Sequence, residues 1–244
     1  MKAVILSAGQ GSRLLPLTAE RPKCLLPLGP KSLIEWQVDI LSRCGIDEIV
    51  VVVGFRAALV ESLLAGLVRP GLAIRTVFNP FYNVADNLGS CWLARHEMDG
   101  DFLLVNGDTL FEQAVGETLL RSEPAPITVT IDRKAYYDAD DMKVHLDGTR
   151  LLDIGKTLPA AQTDAESIGV LLFRDDGPRL FVEAADRAMH TTEGLKSFYL
   201  KVIDQLAKSH RVGTASIEGM AWGEVDYPGD LQRVERLVAD GRLR

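Results

Sequence analysis

Cysteine and histidine are scarce in this sequence, which contains three cysteines and four histidines among 244 residues. Cys24, Cys44 and Cys91 are odd in number and form no Cys-x-x-Cys pair. The histidines lie far apart and lack the short spacings of metal-binding motifs. A disulfide framework and a zinc site of Cys or His ligands are therefore not expected, and the cysteines are predicted to be small buried side chains.

Long apolar runs and an excess of positive charge are lacking as well. The apolar run from Ala3 to Ala8 is too short for a signal peptide, and no later run approaches membrane length. The formal net charge is −7 and the sequence pI is about 5.2. This balance gives no overall attraction to nucleic acid or to an anionic membrane. We therefore expect a cytoplasmic protein with small-molecule partners, no nucleic-acid partner and no membrane partner.

The first 110 residues alternate between strand and helix patterns. Apolar, β-branched runs predict strands over 2–7, 47–54, 72–78 and 101–106. Amphipathic or apolar segments predict helices over 33–44, 57–67 and 88–98, and Ser32 with Glu35 forms a capping box before the first of them. Such alternation predicts an α/β fold with a Rossmann-like, doubly wound, mixed but mostly parallel sheet.

The second half is richer in strands. After Glu123-Pro-Ala-Pro126, strands are predicted over 127–132, 142–146, 151–154 and 167–173, and helices over 178–190, 196–209 and after Pro228. Apolar residues make up 47% of the chain, enough for a substantial core, and no repeat or flexible linker separates the halves. We predict a single domain over 1–244, in which 111–244 is a strand-rich C-terminal extension of the sheet begun by 1–110.

The loop after the first strand, SAGQGSRLLPLTAERPK from Ser7 to Lys23, begins like a dinucleotide-binding fingerprint. Leu14 stands where the third glycine of Gly-x-Gly-x-x-Gly belongs, and the second strand ends without an acidic residue for a ribose. The two glycines still let backbone N–H groups approach a phosphate, and Arg13 and Lys23 add two cations, which suits a triphosphate. A glycine turn with two solvated bases is the alternative. Gly155-Lys-Thr157 is not a P-loop, because Arg150 replaces the glycine that this motif requires.

Several short motifs together resemble one known family. Gly9-Gln-Gly-Ser-Arg13, Pro16-Leu-Thr18 and Pro22-Lys23, with Val105-Asn-Gly-Asp108 and Trp222-Gly-Glu-Val-Asp226, resemble the signature of the nucleotidyltransferases that activate sugar phosphates and related phosphate monoesters. The resemblance spans nearly the whole chain. It implies a magnesium-dependent transfer of a nucleotidyl group from a nucleoside triphosphate, with release of pyrophosphate.

Finer motifs are more similar to one branch of this family. Asn79-Pro-x-Tyr82, Asp86-Asn-x-x-Ser90 and Met142-Lys-Val144 resemble cytidylyltransferases that act on phosphocholine, aminoethylphosphonate and similar acceptors. This resemblance implies CTP as the donor. It also implies a nucleotide-binding half over 1–110 and an acceptor-binding half over 111–244.

The carboxylates of these motifs suit a metal ion. Asp108 follows a strand at the sheet edge of the glycine loop, and a carboxylate beside a phosphate site calls for a cation between them. Glu224 and Asp226, two apart on a strand-like stretch, would share one face and add oxygen ligands. We predict a Mg²⁺ site formed by Asp108, Asp226 and Glu224. A turn-capping Asp108 and a solvated Glu224 are the alternatives.

The resemblance also implies roles for the remaining candidates. Catalysis is assigned to Lys23, Arg13 and Asp108, and nucleotide binding to Ala8, Gly9, Gly11, Ser12, Arg13, Lys23, Asn87 and Ser90. Acceptor binding is assigned to Lys156, which would hold the acceptor phosphate, and to Tyr199 and Trp222, which would hold an ammonium head group. The alternatives are that Asn87 and Ser90 cap a helix, that Lys156 is an exposed loop lysine and that both aromatic residues are core residues.

Three functional hypotheses remain from the sequence. The first is a cytidylyltransferase with a small phosphate or phosphonate acceptor. The second is a sugar-1-phosphate uridylyl- or thymidylyltransferase, and the third is a non-catalytic, nucleotide-binding regulatory domain. The presence of Arg13, Lys23, Asp108 and Asp226 together argues against the third, because a sensor needs no metal-binding acids. The sequence leaves open whether the protein is a homo-oligomer.

Overall fold

The protein, described here by a computed structural model over residues 1–209 and 211–243, packs as two compact units. The first unit comprises 1–84, 105–117 and 220–244, and the second comprises 85–104 and 118–219. The segments interleave, so the C-terminal residues belong with the N-terminal ones. The prediction of one domain with halves 1–110 and 111–244 stays a prediction. His210, one of the four scattered histidines, lies outside the described residues.

The strands and helices follow one another along both units. The strands are β1 (Lys2–Ser7), β2 (Pro27–Leu28), β3 (Lys31–Ser32), β4 (Glu48–Val53), β5 (Ala73–Phe78), β6 (Phe102–Asn106), β7 (Thr109–Phe111), β8 (Ile127–Asp132), β9 (Lys143–Asp147), β10 (Arg150–Gly155), β11 (Ala165–Phe173), β12 (Val212–Ser216) and β13 (Trp222–Glu224). The helices are α1 (Leu33–Arg43), α2 (Ala57–Ala65), α3 (Asn87–Leu93), α4 (Gln113–Leu120), α5 (Gly177–Met189), α6 (Tyr199–Ser209) and α7 (Pro228–Ala239).

A parallel sheet forms the centre of the first unit. Strand β4 lies between β1 and β5 and runs parallel to both. Its valines, Val50 to Val53, are completely buried, as expected for a strand that is covered on both faces. The capping box of Ser32 and Glu35 is present at the start of α1. Strand β13 pairs antiparallel with β7, and α7 packs against β13.

The second unit has a mixed sheet in the order β11-β8-β12-β10-β9. Strands β8 and β12 are parallel, whereas β11 pairs antiparallel with both β8 and β9. In its core the Phe173 ring stacks on Phe102, with centroids 4.4 Å apart, and contacts Phe181 at 4.9 Å. The predicted α/β class with a strand-rich second half is therefore confirmed.

Several elements differ from the sequence-based expectation. Helix α4 and strand β12 were not predicted. Strand β12 lacks a regular apolar alternation because Gly213 lies within it. A methyl group at Gly213 would lie 3.1 Å from Ala125 Cβ. Helix α3 ends at Leu93 and is followed by a 3₁₀ turn over Arg95–Glu97. Cys24 and Cys91 are buried, as predicted, whereas Cys44 is only half-buried. Within the described ranges, no helix is long and apolar enough to cross a membrane.

Candidate active site

The glycine loop that follows β1 is held by its own hydrogen bonds. The hydroxyl of Thr18 donates to the carbonyl oxygen of Gly11 at 2.8 Å, and Gln10 Nε2 donates to Thr18 O at 3.1 Å. Gly11 has a φ of 78°, and a methyl group there would lie 2.8 Å from Lys23 Cβ. Only glycine accommodates both this backbone conformation and this close approach. The glycine therefore lets the Lys23 side chain pack directly against the loop.

Lys23 joins the loop to two carboxylates of the first unit. Its Nζ donates to Asp108 Oδ2 at 2.8 Å and to Asp226 Oδ1 at 2.7 Å. The Lys23 side chain is only 16% exposed, and those of Asp108 and Asp226 are 24% and 31% exposed. Three residues predicted from separate motifs thus form one ion-paired cluster.

The charge state of Lys23 follows from this cluster. Burial alone would lower the pKa of its ammonium group, but the neighbouring Asp108 and Asp226 carboxylates outweigh burial and raise that pKa above its usual value. Lys23 therefore stays protonated throughout the ordinary pH range. It can neutralise phosphate charge but cannot act as a general base.

Arg13 also contacts this cluster, and its side chain is more exposed than that of Lys23. Its Nη1 is 3.4 Å from Asp226 Oδ2, and its guanidinium carbon is 5.4 Å from the centroid of the Tyr227 ring. A guanidinium group against an aromatic face keeps its charge and loses part of its rotamer freedom. Arg13 is thus a partly ordered cation next to Lys23.

The turn that carries Asp108 is fixed by close backbone packing. Gly107 N donates to Leu6 O at 3.1 Å, and a methyl group at Gly107 would lie 2.3 Å from that oxygen. Val225 N donates to Asp108 O at 3.0 Å, which ties the turn to the segment that contains Asp226. Asp226 N in turn donates to Asp230 Oδ2 in the first turn of α7. Both carboxylates therefore project from restrained backbone.

The two aspartates suit a hard divalent cation. Asp108 Oδ1 is buried and has no hydrogen-bond partner in the described part of the chain. An unpaired buried carboxylate oxygen costs free energy that a bound cation would recover. Among the residues that the structure describes, no group of three or more His, Cys, Asp or Glu side chains could hold a metal ion by itself. Two carboxylates with phosphate oxygens and water are the usual magnesium environment in phosphate-binding enzymes.

Glu224 and Trp222 lie on β13. Glu224 pairs with Thr109 and Trp222 with Phe111 of β7, and both side chains are half-buried. Their assignments as a metal ligand and as an acceptor contact stay predictions.

The nucleotide-binding candidates of the second unit lie at the start of α3. Asn87 Oδ1 accepts a hydrogen bond from Tyr199 N at 2.9 Å, and Ser90 is buried. The Tyr199 side chain is completely buried, whereas Phe198, which precedes it, is 39% exposed. Phe198 is therefore the aromatic side chain that this segment presents at the surface.

Lys156 lies in a small mixed-charge group on the second unit. Its Nζ is 5.3 Å from the centroid of the Phe198 ring and 3.4 Å from Asp140 Oδ1. Burial raises the pKa of the nearby Asp86 carboxyl, and Lys156 opposes part of this shift. Lys143 is buried and its Nζ donates to Lys156 O at 2.9 Å. The Met142-Lys-Val144 motif thus helps to fix the backbone of Lys156.

Comparison with known proteins identifies the family of this chain. Residues 2–141, more than half of the chain, match the nucleotidyl transferase family. The chain belongs to this family. It is therefore a nucleotidyltransferase.

Curated relatives and solved structures extend the likeness. CMP-5'-(3-aminopropyl)phosphonate synthase from Streptomyces rubellomurinus is 32% identical over 96% of this chain, which spans 38% of that relative's length. Choline-phosphate cytidylyltransferase from Streptococcus pneumoniae is 25% identical and is covered over 98% of both chains. A solved structure of CTP:phosphocholine cytidylyltransferase from the same species has a TM-score of 0.80 at 25% identity, with 97% of this chain and 98% of that chain covered.

Sequence reasoning missed two of the polar residues around Lys156. Asp86 is predicted only as part of a motif, and Lys143 has no predicted role. The position of Lys143 inside a predicted strand is the signal that could have identified it, because buried lysines need polar partners.

Gly9 offers a test of whether the loop holds phosphates. Apart from its two chain neighbours, no described residue lies within 4 Å of a methyl group placed at Gly9, so Gly9→Ala should fold normally. If backbone N–H groups of this loop approach phosphates closely, the methyl group should raise the Kd for the nucleotide about tenfold or more. Calorimetry with CTP and the melting temperature would measure both effects. Gly100→Ala, equally open but in the second unit, is the control, and an unchanged Kd in Gly9→Ala would contradict the loop assignment.

Proposed function

We propose that this protein transfers a cytidylyl group from CTP to a small phosphate monoester or phosphonate and releases pyrophosphate. The observation that carries the proposal is the cluster of Lys23, Asp108 and Asp226 beside the glycine loop. The names of the two curated relatives, one a CMP-phosphonate synthase and the other a choline-phosphate cytidylyltransferase, support the choice of donor and of acceptor class.

The chemistry needs no covalent intermediate and no general base. An acceptor oxygen that is already anionic attacks the α-phosphorus of CTP and forms the new P–O bond. The bond from the α-phosphorus to the bridging oxygen breaks, and its electron pair leaves with pyrophosphate. Because no proton moves, the protein has to align two anions and neutralise their charge. Lys23 and Arg13 are the cations of the first unit that we assign to this task.

A divalent cation, Mg²⁺ in our proposal, would be held by Asp108 and Asp226. When bound, it would neutralise triphosphate charge and stabilise the charge that develops on the leaving group. Asp108 Oδ1 is available to it, since no described residue bonds this oxygen. Glu224 is a further proposed ligand.

We assign acceptor binding to the group around Lys156 in the second unit. The Lys156 ammonium would hold the phosphate or phosphonate, and the exposed face of Phe198 would contact a cationic head group. Asp86 would accept hydrogen bonds from that head group. A primary ammonium can donate to a carboxylate, whereas a quaternary one cannot. We therefore propose an aminoalkyl phosphate or phosphonate as the acceptor.

A substrate matrix tests the proposal. Each of CTP, UTP, dTTP and ATP would be combined with phosphocholine, 2-aminoethylphosphonate, phosphoethanolamine and glucose 1-phosphate, and pyrophosphate release would be measured. We expect CTP to be used at least several-fold faster than UTP, with an amino-substituted acceptor. Equal use of CTP and UTP, or preference for glucose 1-phosphate, would favour a sugar-1-phosphate enzyme. The absence of turnover with every pair would favour a regulatory nucleotide-binding domain.

Lys156 should govern the acceptor and not the nucleotide. Lys156→Gln is expected to raise the KM for the acceptor about tenfold or more, because it replaces a charge-assisted contact to a phosphate by a neutral one. The KM for CTP should change little. Lys201→Gln, an exposed lysine on α6, is the matched control and should leave both constants unchanged. A parallel rise of both constants in Lys156→Gln would show that Lys156 has a structural role instead.

A further inference from the structure

One polar side chain interrupts the apolar face of α1. Helix α1 buries Leu33, Ile34, Ile40 and Leu41, and Gln37 lies among them with no exposed surface. An apolar side chain would fill this position without any desolvation cost. The presence of an amide there calls for an explanation.

The amide of Gln37 bridges the two ends of the turn that carries Asp108. Gln37 Nε2 donates to Asn106 O at 2.8 Å and to Thr109 O at 2.7 Å. Asn106 is the last residue of β6 and Thr109 the first of β7, so Gly107 and Asp108 are the only residues between the two acceptors. Both N–H groups of one nitrogen are therefore used to fix the span of this turn.

The oxygen atom of the Gln37 amide takes no part in these two hydrogen bonds. Gln37 Oε1 is buried and has no hydrogen-bond partner among the residues that the structure describes. An amide with an unsatisfied oxygen is a poor choice for core packing alone, since burial of an unpaired acceptor costs free energy. The two donated hydrogen bonds are thus the physical reason for glutamine at this position.

We propose that Gln37 is a positioning residue for Asp108. It fixes the backbone on both sides of Asp108 and thereby aims the Asp108 carboxylate. The same turn is also restrained by the hydrogen bonds from Gly107 N to Leu6 O and from Val225 N to Asp108 O. The inference rests on the proposed function, in which Asp108 binds a divalent cation. A shift of about 1 Å in a ligand at such a site is enough to weaken binding and turnover.

Gln37→Glu is the sharpest variant, because glutamate has the same shape and no N–H group. Gln37→Met removes the donors without adding charge, and it provides a second measurement if the glutamate variant does not fold. Ser32→Ala is the matched control. It weakens the cap at the start of the same helix, typically by destabilising the protein, but leaves the turn at Asp108 untouched.

The readout is Mn²⁺ binding in the presence of CTP and without acceptor, followed by the electron paramagnetic resonance signal of free Mn²⁺. Melting temperatures of all variants would be recorded in parallel. We expect Gln37→Glu and Gln37→Met to raise the Kd for Mn²⁺ about tenfold, and Ser32→Ala to leave it unchanged although it also lowers the melting temperature. An unchanged Kd in the Gln37 variants, or a Kd that follows melting temperature in all three variants, would overturn the inference.

Asp108→Asn separates this inference from the function on which it rests. If Asp108→Asn loses Mn²⁺ affinity and the Gln37 variants keep it, the positioning role alone is wrong. If Asp108→Asn keeps wild-type affinity, the metal role of Asp108 is wrong and the positioning role falls with it.

Discussion

Asp108→Asn is expected to lower turnover by about 100-fold or more while the protein remains folded, and Asp226→Asn should act in the same direction. The substitution keeps the size of the side chain and removes its charge, so a strong anionic ligand becomes a weak neutral one. One carboxylate oxygen of Asp108 accepts a hydrogen bond from Lys23, and the other is buried with no partner among the residues that the structure describes. Steady-state turnover at saturating CTP and acceptor would measure the effect.

A matched control separates metal binding from ion pairing in general. Asp39 also belongs to the first unit, pairs with Lys31, and has a side chain 29% exposed, close to the 31% of Asp226. Asp39→Asn should leave turnover near that of the wild type. Turnover near wild type in Asp108→Asn or Asp226→Asn, at ordinary magnesium concentration, would remove the basis of the metal assignment. Partial recovery of the variants at high magnesium would support it.

The loop and the two aspartates could be predicted because each is marked by local chemistry. Gly9 and Gly11 after an apolar strand, and Asp108 after another, indicate the carboxyl ends of strands. Lys23 could be associated with them because Pro22 precedes it within a recognisable motif. The contact of Lys23 with Asp226, 203 residues away, was not predicted. Its geometry depends on the segment from Met220 packing with the N-terminal residues.

Other features depend on tertiary contacts that no local pattern reveals. Phe198 and Tyr199 are adjacent, and the sequence does not tell which ring is buried. The start of α6 at Tyr199 decides it: Tyr199 enters the core and Phe198 stays at the surface. Gln37 had a detectable signal, since it stands on the apolar face of a predicted amphipathic helix. The acceptors of its hydrogen bonds, about 70 residues further along the chain, could not be read from that signal.

Lys23→Ala is expected to lower kcat/KM for CTP by about 1000-fold, because the variant lacks the least exposed cation of the cluster at the glycine loop. The neighbouring carboxylates make this effect specific. Lys23 is held by Asp108 and Asp226 together, so its removal leaves two close carboxylates that repel each other and the triphosphate. Steady-state kinetics with CTP as the varied substrate would measure the loss.

Lys31→Ala is the matched control for this loss. Lys31 is also in the first unit and is ion-paired, with Asp39 as its partner, and its Nζ lies 4.8 Å from the centroid of the Trp36 ring. Its removal should change kcat/KM for CTP by about twofold at most, as expected for a partly exposed ion pair away from the reaction. Equal losses in both variants would show that ion pairing, and not contact with the triphosphate, explains the effect.

Lys23→Arg should not restore the activity that Lys23→Ala loses, although it keeps the positive charge. The Lys23 side chain packs against Gly11 so closely that a methyl group there would lie within 3.3 Å of its Cβ, Cγ and Cδ atoms. A planar guanidinium group is wider than an ammonium group and cannot occupy the same point between two carboxylates. Recovery to within about tenfold of the wild type would mean that charge alone suffices at this position. The close packing of Gly11 on Lys23 would then have no bearing on the reaction.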